Sequence, residues 1–132
     1  MGLESKVFVV ERKEFEKRDN RPAWVSASVI AEFDLCKMGW SNQEFFKAFK
    51  REIDFTIYLP TCDEEGNETV SAVNEDCYGE HMKSAELSVL ISALETIEVR
   101  DHYRRLPPLI AMLKAFNDDE WDGELQAVLY NY

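Results

Sequence analysis

Three groups of side chains in this sequence have the chemistry to make a site. Cys62, Cys77 and His81 offer two thiolates and an imidazole, a donor set suited to zinc, and Cys77 and His81 sit in a Cys-x-x-x-His segment. The wider spacing argues against it. With Glu65-Gly66 centring a hairpin turn, Cys62 pairs near Thr69 and Cys77 falls well beyond. We therefore expect no structural zinc, and no disulfide between Cys62 and Cys77, whose Cα atoms would have to come within roughly 7 Å. The run Asp118-Asp119-Glu120-Trp121-Asp122-Gly123 has acids at its first, third and fifth places and glycine at its sixth, like a calcium loop. Its twelfth place, where a bidentate Glu would close the site, is Leu129. We expect no metal and no cofactor.

The third group is Arg100-Asp101-His102-Tyr103-Arg104-Arg105, the one concentrated cationic segment. Guanidinium forks suit phosphates, so Arg100, Tyr103, Arg104 and Arg105 form an alternative site for a small phosphorylated ligand or nucleotide. The reading we prefer is cations near a helix end, paired with Glu95, Glu98 and Asp101. Nucleophilic catalysis would need a histidine base, yet neither His81 nor His102 accompanies a serine elbow or a catalytic cysteine signature. The five glycines form no phosphate cradle, and among 26 acids no catalytic pair stands out. The expectation is a protein that is not an enzyme.

Charge then carries the functional reading. The formal net charge is −11, from 26 acids and 15 bases. Such a surface repels a polyanion over about a Debye length, roughly 8–10 Å, so direct nucleic-acid binding is not expected and a basic protein partner is. The acids gather in predicted loops, where carboxylates project without disturbing a core. The residues assigned to partner binding are Asp63, Glu64 and Glu65 at a hairpin tip, and Asp118, Asp119, Glu120 and Asp122 around Trp121, which is either an aromatic anchor within a negative rim or a side chain folded back onto the core.

These loops need elements to hold them. Val7 to Val10 reads as a strand, followed by a charged connection from Glu11 to Arg21. From Trp24 to Lys37 the period is two, with Val25, Ala27, Val29, Ala31, Phe33 and Leu35 on one face; Ile30 and Cys36 interrupt the polar face. Ser41 and Glu44 form a capping box, Trp40 can staple onto Phe45, and Phe45, Phe46, Phe49 and Ile53 recur at helical spacing. Asp54 to Leu59 and Thr69 to Val73 read as a hairpin, with Pro60 ending the first strand. Ser84 is a second predicted N-cap, before a stripe of Leu87, Leu90, Ile91, Leu94 and Ile97. Leu106-Pro107-Pro108 opens a third helix, and Glu124 to Tyr132 alternates as a final strand. The order β-β-α-β-β-α-α-β gives an α+β fold, mostly antiparallel sheet with about three helices packed on it. We expect one domain over residues 1–132.

Three cysteines are sparse and odd in number, which fits reduced thiols and a cytoplasmic location. Val7 to Val10 is far too short for an export signal or a membrane span, and Lys6 stands where a myristoylation motif wants Ser or Thr.

The opening Met1-Gly2-Leu3-Glu4, running into an apolar strand in a short acidic chain, resembles small proteins encoded by phages and prophages. In general character the chain is similar to anti-CRISPR and other anti-defence proteins. That resemblance implies an inhibitor, a phage protein binding a host protein stoichiometrically, typically a basic nucleic-acid-binding one. It carries over no functional residue.

Overall fold

An uninterrupted apolar run such as Val7-Phe8-Val9-Val10 is stable in a strand covered on both faces. The computed structural model, which describes residues 4–15, 24–36, 43–97, 105–118 and 124–132, places it so. All four side chains are buried in β1, Ser5–Phe15. This strand is longer than expected: Glu11 to Phe15 continue it instead of forming a connection. Neighbours two apart share a face of a strand, and Lys13–Glu11 and Arg12–Glu14 form ion pairs there, so the charged half lies along the sheet surface.

β1 pairs antiparallel with β2, Trp24–Cys36, and with β7, Glu124–Asn131. β7 also pairs with β6, Lys83–Glu86, which pairs with the two-residue β3, Arg51–Glu52. The antiparallel sheet runs β2-β1-β7-β6-β3. The single alternating face expected for β2 is split by a bulge. Val9 opposes Ala31 while Val10 opposes Val29, leaving Ile30 as the extra residue. Ala27 and Val29 therefore pack on one side of the sheet, and Ile30, Ala31, Phe33 and Leu35 on the other. This bulge explains why Ile30 is apolar.

The second side carries the helices α1 (Gln43–Lys47), α2 (Leu87–Glu95) and α3 (Leu106–Phe116). Phe45, Leu90, Leu94, Leu109 and Leu113 are buried there against Val7, Val9 and Ala127. α1 is a short helix, and the predicted stripe fails at Ile53, which packs on the opposite side of the sheet with Phe8 and Val10. Ser41 and Trp40, the proposed cap and staple, lie outside the described residues. Ser84 is no N-cap: it is buried in β6 and its Oγ donates to the Arg51 carbonyl at 3.3 Å. Ala85 and Glu86 must first pair with Ala127 and Gln126, so the helix begins only at Leu87.

The remaining face is covered by a second, two-stranded sheet, β4 (Ile57–Cys62) and β5 (Glu68–Val73). β4 thus runs through Pro60 instead of ending before it. Ile57 is fully buried, and Leu59 and Val73 pack beside it on Phe8, Val10, Ile53, Phe55, Met82 and Val128. Arg12 fastens the segment leading into this hairpin. Its Nε and Nη2 donate to the two carboxylate oxygens of Asp54 at 3.1 and 2.7 Å, and Glu14 and Glu124 lie 2.7 and 3.5 Å from its guanidinium. This fork holds the Asp54 carboxyl below the usual carboxylate range, and Arg12 is correspondingly pushed up. The molecule is an α+β fold in three layers: helices, five-stranded sheet, hairpin. Among the described residues no helix is long and apolar enough to cross a membrane.

Candidate protein-binding surface

In Ile57-Tyr58-Leu59-Pro60-Thr61-Cys62 the strand period of two sends Ile57, Leu59 and Thr61 inward and Tyr58, Pro60 and Cys62 outward. Cross-strand register adds their partners. Tyr58 faces Ala72, Pro60 faces Val70, and Cys62 faces Glu68. The outer face of the hairpin is therefore a small apolar platform, with Tyr58 64% and Val70 61% exposed, and Pro60 and Ala72 exposed between them. A side chain that ends a strand on the inner face has a different fate: Thr61 Oγ1 lies 2.9 Å from Ser71 Oγ, a polar pair that needs no outside partner.

At the tip, Asp63 has a local task. Its Oδ1 accepts from the amides of Glu65 (3.0 Å) and Asn67 (2.8 Å), and its carbonyl accepts from Gly66. Gly66 takes a φ of 83°, a conformation that a side chain would strain. The turn thereby holds Glu64 and Glu65 at its corner, exposed. Among the described residues neither they nor Glu68 enter an ion pair. The same arrangement recurs beyond β5. Asp76 Oδ1 accepts from Tyr78 (2.8 Å) and Glu80 (3.1 Å), Gly79 has a φ of 77°, and Tyr78 stands 57% exposed. The repeated Asp-x-x-Gly, at 63–66 and 76–79, was the available sequence signal for these twin turns.

Charge is concentrated here. Between Glu52 and Met82 lie nine acids, Glu52, Asp54, Asp63, Glu64, Glu65, Glu68, Glu75, Asp76 and Glu80, and no Lys or Arg. The stretch supplies all but two units of the net −11, so the rest of the chain is close to neutral. Most of the protein's net negative charge therefore originates in this stretch.

The other predicted residues are placed differently. Asp118 is exposed after α3, on the helical side of the sheet, so it does not join Asp63, Glu64 and Glu65 in one patch. Asp119, Glu120, Trp121 and Asp122 lie outside the described residues, as do Arg100, Tyr103 and Arg104. Arg105 is exposed, and its Nη1 donates to the Asp34 carbonyl at 2.7 Å, an engagement within the fold. Cys62 ends β4 opposite Glu68, at the start of β5, whereas Cys77 sits in the turn beyond the far end of β5. His81 Nε2 lies 2.9 Å from the Ile53 carbonyl and donates its proton there. Among the described residues no three His, Cys, Asp or Glu side chains are gathered as for a metal ion. Tyr58 and Val70 are the site residues that sequence reasoning missed. The alternation of β4 could have exposed them, had the inner face been known to be the covered one.

Comparison of the chain with protein-family models, with curated proteins and with solved structures finds no match.

Proposed function

We propose that this chain is a non-enzymatic interaction protein that binds a basic protein partner through the β4–β5 hairpin, in the manner of an inhibitor that occupies a site built for a polyanion. The observation that carries it is the coincidence, on one hairpin, of an exposed apolar platform and unpaired carboxylates. Tyr58 and Val70 offer apolar area that water leaves on contact, and Glu64, Glu65 and Glu68 surround one end with negative charge. Aromatic anchors with a charged rim are the usual make-up of interface hot spots. The charge steers a basic partner and gives the complex a salt-dependent association rate. The phage-type resemblance supports the same reading, since stoichiometric capture of a host protein needs a surface and no catalytic centre.

The test compares two immobilised proteins, the native one and a variant with Glu64→Gln, Glu65→Gln, Glu68→Gln and Tyr58→Ser, both shown to be folded by circular dichroism. A partner counts only when it is basic, is retained by the first and is lost from the second. Its association rate must also fall steeply with added salt. Equal retention by both proteins, or a partner that is acidic or a small phosphorylated molecule, overturns the proposal.

A further inference from the structure

Among the described residues, the ladder between β4 and β5 leaves backbone groups unpaired along one edge. Asp63 N donates to the Asn67 carbonyl at 2.9 Å. Hydrogen-bonded and non-bonded pairs alternate in an antiparallel ladder, so counting from that pair assigns the rest. Thr61 with Thr69, Leu59 with Ser71 and Ile57 with Val73 exchange hydrogen bonds, while Cys62 with Glu68, Pro60 with Val70 and Tyr58 with Ala72 point their backbone groups outward. On β4 the outward position falls on Pro60, which has no N–H, so that edge is blunted. On β5 the outward groups belong to Glu68, Val70 and Ala72, each with its N–H and C=O.

The β5 edge is already a pairing edge one step further on. Met82 N donates to the Asn74 carbonyl at 2.9 Å, and Glu75 pairs with His81. Then the chain leaves, because Lys83 and Ser84 join β3 and β7. Among the described residues nothing pairs with β5 from Glu68 to Ala72 on this side. That stretch also lacks the usual guards of an edge strand: Thr69-Val70-Ser71-Ala72-Val73 has no Lys, Pro or bulge.

We propose that this edge takes an extended segment of the basic partner as an added strand, with Lys or Arg flanking about five β-branched or apolar residues. The proposal rests on the reading above and deepens it. Acids stand at both ends of the edge, Glu65 and Glu68 at one and Glu75 and Glu80 at the other, about 23 Å apart for the seven-residue rise from Glu68 to Glu75. Those acids also decide against a second copy of this chain: antiparallel pairing of β5 with itself sets Glu68 against Glu75. The backbone ladder supplies affinity, and the acidic ends admit basic flanks.

The probe is acetyl-Lys-Val-Thr-Val-Thr-Val-Lys-amide, added to the full chain, with amide hydrogen exchange read by NMR. Its controls are the same peptide with both Thr amides N-methylated, and a version with Glu flanks. Binding is expected to slow exchange at Glu68, Val70 and Ala72 by at least about tenfold, leaving Thr69 and Ser71, already paired to β4, unchanged. Each control peptide is expected to bind at least about tenfold more weakly. Val70→Pro, which copies the blunting seen at Pro60, is expected to abolish the protection; should it not fold, the N-methylated peptide decides the matter. Peptide binding without protection of those three amides, or undiminished by N-methylation, overturns the added strand while leaving the hairpin-binding reading to its own salt-dependence test. Absence of peptide binding overturns it too. So does protection of the same amides by the chain's own dimerisation, without peptide.

Discussion

Ile57→Ala tests whether the hairpin is a layer held on by a single plug. A two-stranded sheet is marginal by itself in water, so β4 and β5 must draw their stability from what they rest on. Ile57 is the one fully buried side chain that the hairpin contributes, seated among Phe8, Phe55, Met82 and Val128. Truncation removes three carbons, about 2.4 kcal/mol at about 0.8 per methylene, and leaves a cavity that the packed sheet closes only in part. The expected loss is about 3 kcal/mol, inside the roughly 2–5 kcal/mol range for such changes. It is expected to appear in two ways. Urea denaturation gives the global loss. Hydrogen exchange shows the paired amides of Thr61, Thr69 and Ser71 opening far more than those of β1 and β7, because the hairpin separates before the sheet does. Leu90→Ala, at the helical side, is the contrast: a similar global loss without selective opening of β4 and β5. A loss under about 1 kcal/mol, or exchange that rises evenly across the molecule, would refute the layered account.

Other perturbations have separate readouts. Asp54 has its carboxyl held low by Arg12, so the stabilisation is present above the ordinary carboxylate range and lost as pH falls through the lowered value; Asp54→Asn is expected to flatten that acid-side loss in a pH series of urea midpoints. Because Asp54 is largely exposed, the effect at neutral pH is expected to stay within about 1 kcal/mol. Gly66→Ala meets no atom within 4 Å, so its cost is backbone strain alone, about 1–2 kcal/mol by thermal denaturation; a neutral result would mean the turn has another shape. Phe45→Ala removes a fully buried ring set edge-on to Phe46 and Phe49 at 5.5 and 5.3 Å, with an expected loss of about 3–5 kcal/mol in urea and no change in partner association rate.

The α+β class was legible because its signals are local: the apolar run Val7 to Val10, the Leu87–Leu90–Ile91–Leu94 stripe and the prolines opening α3 each report their own element. What escaped depended on distant partners. Ile53 fits a helical stripe with Phe45 and Phe49 by spacing, but only the hairpin layer tells which side of the sheet it fills. Ser84 has good capping chemistry, yet β7 recruits its segment as a strand, and Glu11 to Phe15 look like a loop until β2 lies beside them. The candidate surface divides in the same way. Glu64 and Glu65 were visible as an acidic tip, whereas Tyr58 and Val70 became site residues only once Ile57 was known to point inward.

The position of β7 bears on how the molecule is made. The sheet's middle strand is contributed by residues 124–131, and it stands between β1, drawn from residues 5–15, and β6. During synthesis the β1–β2 ribbon can form early, but its inner side stays open until residues 124–131 have emerged. Ser5 meets Asn131, and Glu4 and Tyr132 exchange backbone hydrogen bonds. A nascent chain stalled before Glu124 therefore carries two sticky sheet edges and an uncovered apolar floor, the condition in which chaperones and proteases compete for it. Assembly is committed only when this late strand slides in between β1 and β6 and closes both edges at once.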